Sequence, residues 1–233
     1  MFRWKTEEDP LMRKFAWSFC LLAIALCVAL PALADDNTLY SNLGTGNDVY
    51  QCCNGWTVSG TGTVGTSFTA ANEFTAMASG SISQIDIGIG YVTGTNSFYA
   101  ALYTDNNNLP GTQLGMWSNL SSSTTFGQCC GLVTISGITG ISLTAGQNYF
   151  LVIGPMNTSD TTWEAWNYSN TATGLDLYST DGGNTWNSNG TQPQGAFDIL
   201  GSSGGTTPEP SSLILLGTGL LGAFGTMRRK LMK

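Results

Sequence analysis

Glu73, Asp86 and Glu164 are the side chains best suited to hydrolysis, because a pair of carboxylates flanking a glycosidic bond is enough to cleave it. They are three of eleven acids scattered over residues 35–207, where some close pair arises by chance, and no signature accompanies them. The expectation is a protein that is not an enzyme, with a secreted glycoside hydrolase as the disfavoured alternative. Trp163, Trp166 and Tyr168 suggest a different chemistry, since aromatic faces stack on sugar rings. Strand alternation puts Trp163 and Trp166 on opposite faces, so one belongs to the core, and Trp166 with Tyr168 could form an exposed sugar platform, with simple core and rim packing the plainer reading. Asp105, Asn106, Asn107 and Asn108 offer oxygens to Ca²⁺, but the Gly and terminal Glu of an EF-hand are missing and an Asn-rich turn is the plainer reading. No other cofactor is expected.

Six cysteines are present. Cys20 and Cys27 fall in an apolar N-terminal stretch. The others form two adjacent pairs, Cys52-Cys53 and Cys129-Cys130, in the similar contexts QCCNG and QCCG. Bonds between the pairs are favoured over bonds within them, because adjacent cysteines close a strained ring; which partner each takes stays open. A first bridge would close a loop of roughly 77 residues. A four-thiolate zinc site fits less well, since its ligands normally have two to four residues between them; no metal site is expected.

Ser179, Asp181, Gly183, Thr185 and Trp186 fit the pattern S-x-D-x-G-x-T-W. This resembles the Asp-box, a structured hairpin turn of sialidases and other β proteins. The resemblance implies a folding role: Asp181 accepts hydrogen bonds, Gly183 takes positive φ and Trp186 packs beneath.

The charges are segregated. Arg3, Lys5, Arg13 and Lys14 precede residue 15, and Arg228, Arg229, Lys230 and Lys233 follow residue 227, with no basic residue between. Residues 35–207 therefore carry eleven negative charges and no positive one. Nucleic-acid binding needs Lys and Arg against phosphates and is excluded. A Walker-type phosphate site lacks its Lys. With no His in the chain, His-based triads and His-ligated metals are excluded too.

Both ends read as addresses. Residues 1–34 have the order of a secretory signal peptide: basic Arg13-Lys14, apolar residues 15–30, and Ala32-Leu33-Ala34 before a cleavage point at Asp35. Met12 is an alternative start. The Sec machinery and signal peptidase are the expected partners. At the other end Pro208-Glu209-Pro210 precedes seventeen mostly apolar residues, 211–227, and the cluster Arg228-Arg229-Lys230. As a helix this stretch would be about 26 Å long, near the ~30 Å hydrocarbon core, with the basic cluster held on the cytoplasmic side.

The run PEPSSLILLGTGLLGAFGTMRRK closely resembles the PEP-CTERM sorting signal of exopolysaccharide-producing Gram-negative bacteria. The resemblance implies recognition by exosortase, a membrane-embedded cysteine protease-like enzyme, and processing near Pro208, Glu209 and Pro210. The inner-membrane anchor would be transient, and the protein would end on the outer surface or in the extracellular matrix.

Between the addresses, residues 35–201 read as one all-β domain, an antiparallel β-sandwich or jelly roll. Strong helix formers are scarce. Ile85, Ile87, Ile89 and Tyr91 alternate with polar or small residues, and residues 98–104 read as their hairpin partner across a Thr93–Asn96 turn. Residues 113–117, 132–136, 149–153, 162–168 and 197–200 are further strands, and 202–207 a Gly/Ser/Thr linker. SQIDIGIGYVTGTNSFYAALYTDNNNLPG, QCCG and ISLTAGQNYFLV resemble the choice-of-anchor ectodomains of bacterial surface proteins, which implies a β-sandwich and a surface location but no reaction.

The expected function is that of an exported, non-enzymatic surface or matrix protein associated with exopolysaccharide or biofilm. The alternative is a lectin-like module using Trp163, Trp166 and Tyr168. Trypsin cuts only after Lys and Arg, so digestion of the reduced, denatured chain should leave everything from residue 15 to Arg228 as one fragment by mass spectrometry.

Overall fold

Strands dominate because the chain offers β-branched and aromatic residues in short runs broken by Gly, Asn and Ser. The computed structural model describes residues 37–45, 48–129 and 131–203. The signal segment, the sorting tail and Cys130 lie outside them. Among the described residues no helix is long and apolar enough to cross a membrane.

Thirteen strands and one short helix follow in order: β1 (Asn37–Ser41), β2 (Gly55–Ser59), α1 (Thr61–Val64), β3 (Thr69–Thr75), β4 (Gly80–Ile87), β5 (Ile89–Thr93), β6 (Phe98–Asp105), β7 (Pro110–Leu120), β8 (Val133–Ser136), β9 (Ser142–Leu143), β10 (Asn148–Pro155), β11 (Trp163–Ser179), β12 (Asn187–Gly195) and β13 (Phe197–Ser203). A five-stranded sheet runs β1-β13-β4-β8, with β9 also on β4. An eight-stranded sheet runs β12-β11-β3-β10-β6-β7, with β2 and β5 also on β11. Every strand pair is antiparallel. This is the expected all-β sandwich.

Leu39, Ile82, Ile85, Ile87, Phe197 and Ile199 of the smaller sheet meet Phe74, Phe98, Leu102, Leu151, Ile153 and Trp166 of the larger in one core. Each such side chain contributes about 1.5–3 kcal/mol by leaving water. The intervening residues face outward, and on the larger sheet Ala71, Phe150, Val152 and Leu177 form a second cluster covered by Tyr99, Tyr103 and Trp186.

The alternating run at residues 85–91 is not one strand, and it does not pair with residues 98–104. It breaks at Gly88: Ile85 and Ile87 lie in β4 of the smaller sheet, Ile89 and Tyr91 in β5 of the larger. Gly88 N donates to Ala196 O at 2.9 Å, and Gly88 O accepts from Asn167 N at 2.8 Å. Strand β6 offers β5 no edge, because β10 and β7 take both sides. The hairpin is instead β6–β7. Asn107 (φ 55°) and Asn108 (φ 63°) take the two left-handed positions of a type I′ turn, and Asn106 N donates to Leu109 O at 2.9 Å. The expected linker also starts late, since β13 pairs with β4 through Ser203.

A disulfide joins Cys52 to Cys129, with Cα atoms 5.4 Å apart and a sequence separation of 77. It is a cross-link between the two pairs; Cys53 is exposed and free. The bridge ties the segment before β2 to the loop before β8, where Gly127 N donates to Cys52 O at 2.8 Å and Tyr50 Oη to Gly131 O at 2.9 Å. Closing a loop of this length removes up to about 4.5 kcal/mol of unfolded-state entropy. Cys52→Ser with Cys129→Ser should lower the unfolding free energy by that amount or less, read from urea melts, and reducing agent should then leave the variant's midpoint unchanged.

Candidate functional site

The aromatic segment sits at the start of β11, and its rings do not form one platform. Trp166 is fully buried. Its Nε1 donates to Ala196 O at 3.1 Å and its ring packs on Phe197, 5.8 Å between centroids. The indole lies against Gly195, where a Cβ would come within 2.1 Å of Cε2, so the absent side chain makes room for the ring. The expectation of an exposed Trp166 is therefore corrected: it is the core member of its pair. Trp163 is half-buried, in register with Ser59 and Thr93.

Tyr168 is also half-buried but has a different neighbour, Trp56, at 5.0 Å between centroids and 58° between planes. This pair opens into a cleft of about 450 Å³ lined by residues including Trp56, Thr57, Phe68, Tyr168, Asp176, Tyr178 and Asn189. The cleft arises where β11 changes partners. Trp163–Asn167 pair with β2, and Asp176–Ser179 pair with β3, while β12 accompanies the other edge with bulges at Tyr168/Thr173 and Asp176/Leu177. Trp56 Nε1 donates to Pro193 O at 3.0 Å, which fixes its ring. A second aromatic pair, Phe68 and Tyr178, lies 6.3 Å apart. Asp176 is buried, and its carboxylate accepts from Asn72 Nδ2 at 2.7 Å and from Asn189 Nδ2 at 2.6 Å. Burial pushes it up to about 6 against the pull of those two donors.

The three carboxylates singled out for hydrolysis occupy separate settings. Glu73, on β3, accepts from Asn148 Nδ2 at 2.8 Å, and burial, with Asp105 nearby, raises it. Asp86, on β4, accepts from Gln84 Nε2 at 2.6 Å and from the Thr134 hydroxyl, and faces Asp198 across the β4–β13 ladder. Burial, then the Asp86 charge, push Asp198 up to about 7. Glu164, on β11, is buried, and burial pushes it up to about 7. Ser122 Oγ is 3.0 Å from both Ile89 O and Glu164 Oε2. The hydroxyl is shared between these two acceptors, and its bond to Glu164 pulls the carboxyl down against the effect of burial. Asp105 Oδ1 accepts from Asn108 N at 2.8 Å inside the type I′ turn. Among the described residues no three Asp, Glu, Cys or His cluster as metal ligands.

The turn after β11 is built around Asp181. Its Oδ1 accepts from Ser179 Oγ at 2.7 Å and Thr185 N at 2.9 Å, and Oδ2 from Thr185 Oγ1 at 2.7 Å. The Ser179 hydroxyl, then Thr185, hold the carboxyl down to about 2. Gly183 takes φ 93°, its N donates to Ser179 Oγ at 2.8 Å, and Trp186 packs on the outer cluster. Nothing in this turn faces the cleft lining.

Residues 206–230 carry a PEP-CTERM protein-sorting motif. That stretch contains Pro208, Glu209, Pro210, Arg228, Arg229 and Lys230, all outside the described residues. Such a motif is the recognition signal for exosortase and marks a protein for export and the cell surface. Comparison with curated proteins finds no match. Among solved structures, the chain is similar to the crystal structure of the cysteine protease and lectin-like domains of Cwp84, a surface layer associated protein of Clostridium difficile. The likeness has 14% identity and a TM-score of 0.38, over 58% of this chain and 32% of that one.

Sequence reasoning placed Tyr168 in a site but missed Asp176, Tyr178 and Asn189. The run LDLYS alternates and could have marked a strand, but the polar residues before it hid its continuity with the Trp163 segment. The raised carboxyls have a consequence for stability. A carboxyl raised on folding stabilises fully below its unfolded value, about 4, and loses that contribution as pH rises through the folded value, at about 1.4 kcal/mol per unit of elevation. Glu164, Asp176 and Asp198 place this loss between about pH 4 and 7. Asp181 acts oppositely, below about pH 4. The melting temperature should therefore fall between about pH 4 and 7, and Glu164→Gln should flatten that fall, as calorimetry would show.

Proposed function

We propose that this is a non-enzymatic module of the cell surface or extracellular matrix of a Gram-negative bacterium, associated with exopolysaccharide or biofilm. The observation that carries the reading is the sorting motif at residues 206–230, attached to an antiparallel β-sandwich. Export would begin at the signal segment 1–34 through the Sec machinery and signal peptidase. Residues 211–227 would hold the protein briefly in the inner membrane, with Arg228, Arg229 and Lys230 on the cytoplasmic side. Exosortase would then process it near Pro208, Glu209 and Pro210.

The fold supports the non-enzymatic part through what its acids do. Glu73, Asp86 and Glu164 have different hydrogen-bond partners on three different strands, and the Asp181 carboxylate closes a turn. The single disulfide among the described residues suits an oxidising compartment. Glu209→Ala, or deletion of residues 228–230, should leave an unprocessed precursor in the inner-membrane fraction, seen by immunoblot of fractionated cells. Unchanged size and location in both variants would overturn the sorting mechanism.

A further inference from the structure

We propose that the cleft between β2, β3, β11 and β12 binds a neutral saccharide, its sugar ring on the Trp56–Tyr168 pair and its hydroxyls on the exposed amide of Asn189, which the buried Asp176 orients. The lining carries two aromatic pairs, Trp56–Tyr168 and Phe68–Tyr178, around one buried carboxylate. A pyranose has apolar C–H faces and polar hydroxyl edges, and this site offers aromatic carbon for the first and oxygen acceptors for the second. At about 450 Å³ the cleft is within the range of small-ligand sites and holds a short stretch of a polymer rather than a long one.

Two features make the cleft a built site. The Trp56 ring is pinned by its hydrogen bond to Pro193 O, so its face is held before a ligand arrives and little side-chain entropy is lost on binding. Asp176 is oriented by Asn72 and Asn189, which occupy one lone pair on each of its oxygens. Asn72 is itself fixed at its other end, accepting from Gly195 N at 2.5 Å through Oδ1. The polar floor is thus tied to β3 and β12 together.

Charge selects the class of saccharide. Residues 35–207 contain no Lys, Arg or His, so among the described residues none near the cleft can pair with a uronate, sulfate or phosphate. An anionic glycan would instead meet Asp176 within a domain of uniformly negative charge. Neutral hexose polymers carry no such penalty.

The test uses the full chain with its disulfide formed, in a detergent without a sugar headgroup, and isothermal titration calorimetry. The probes are hexamers of neutral glucan, mannan and galactan, with oligogalacturonate as the anionic counterpart. At least one neutral hexamer should bind with a Kd below about 1 mM, and oligogalacturonate at least tenfold more weakly. Tyr168→Ala and Asn189→Ala should each weaken binding at least tenfold, while Trp163→Ala, outside the cleft, leaves it within twofold. Asn189 is exposed but donates to the buried Asp176 carboxylate, so its variant should melt lower than the parent yet stay folded, and it decides the matter if Tyr168→Ala fails to fold. No binding by any neutral hexamer, equal binding of oligogalacturonate, or full binding by a folded Asn189→Ala would each overturn the assignment. Binding in vitro does not depend on tail processing, so failed binding and failed sorting are distinct outcomes. Only the setting in which a matrix saccharide meets the cleft rests on the surface location proposed above.

Discussion

The carbonyl of Ala196 is the point on which both sheets hang. It accepts from Gly88 N at 2.9 Å and from Trp166 Nε1 at 3.1 Å. Ala196 N donates to Asn167 O at 2.7 Å, and Asn167 N donates to Gly88 O at 2.8 Å, which closes a ring of three backbones. Gly88 separates β4 from β5, and Ala196 separates β12 from β13. These two places, where the chain passes from one sheet to the other across a single residue, are therefore hydrogen-bonded to each other and to the middle of β11. The buried indole of Trp166 lies over this junction. Losing it would open a large cavity and orphan one hydrogen bond, of the order of 3–5 kcal/mol for an aromatic deletion. The cleft inherits the same constraint. Strand β11 is pinned at Trp166 and Asn167, and Tyr168 is held too, its N donating to Asn54 O and its O accepting from Gln51 N, both at 2.9 Å, with its ring against Trp56.

A second constraint follows from composition. With no basic side chain between residues 35 and 207, no buried acid can find an ion-pair partner there. Burying a charged carboxylate without one is costly. The protein answers in two ways. Glu164, Asp176 and Asp198 are pushed up to about 6 or 7, so protonation relieves them. Amides and hydroxyls then do what Lys and Arg do elsewhere: Asn72, Asn189, Gln84, Thr134 and Ser122 all contact buried acids. The exposed Asp181 shows the other limit, held low by its own turn donors. The richness in Asn, Ser and Thr, which at first reads as loop composition, is partly the electrostatic scaffold of the core.

The sequence was legible where structure is local. The Asn-rich turn, the S-x-D-x-G-x-T-W turn and the alternating runs each encode their conformation within a few residues, and their strands stand near where periodicity puts them. Pairing was not legible, because it depends on distant edges. Residues 85–91 alternate without a break, yet the chain changes sheet at Gly88, which is visible only once Ala196 and Asn167 are in place. Strand β3 escaped notice because both of its faces are covered: Ala70 belongs to the inner core and Ala71 to the outer cluster, so TAANEFT shows no alternation. Strand β12 escaped for the opposite reason, as an exposed polar edge carrying Pro193. Between Trp163 and Trp166, alternation gives opposite faces but cannot say which is inside; the space over Gly195 decides that.

Location and recognition meet in the same absence of positive charge. On the location proposed above, the domain would face charged and neutral glycans alike, and one basic patch would bind the charged ones at long range and without discrimination. An all-acid surface removes that route. What is left is short-range recognition, in which aromatic contact and hydroxyl geometry decide affinity and salt has little influence. The segregation of every Lys and Arg into the two ends of the chain then has one physical reason on each side. On the proposed export route, positive charge would serve the machinery that orients each end in a membrane, and it would be a liability in the domain once that machinery has finished with it.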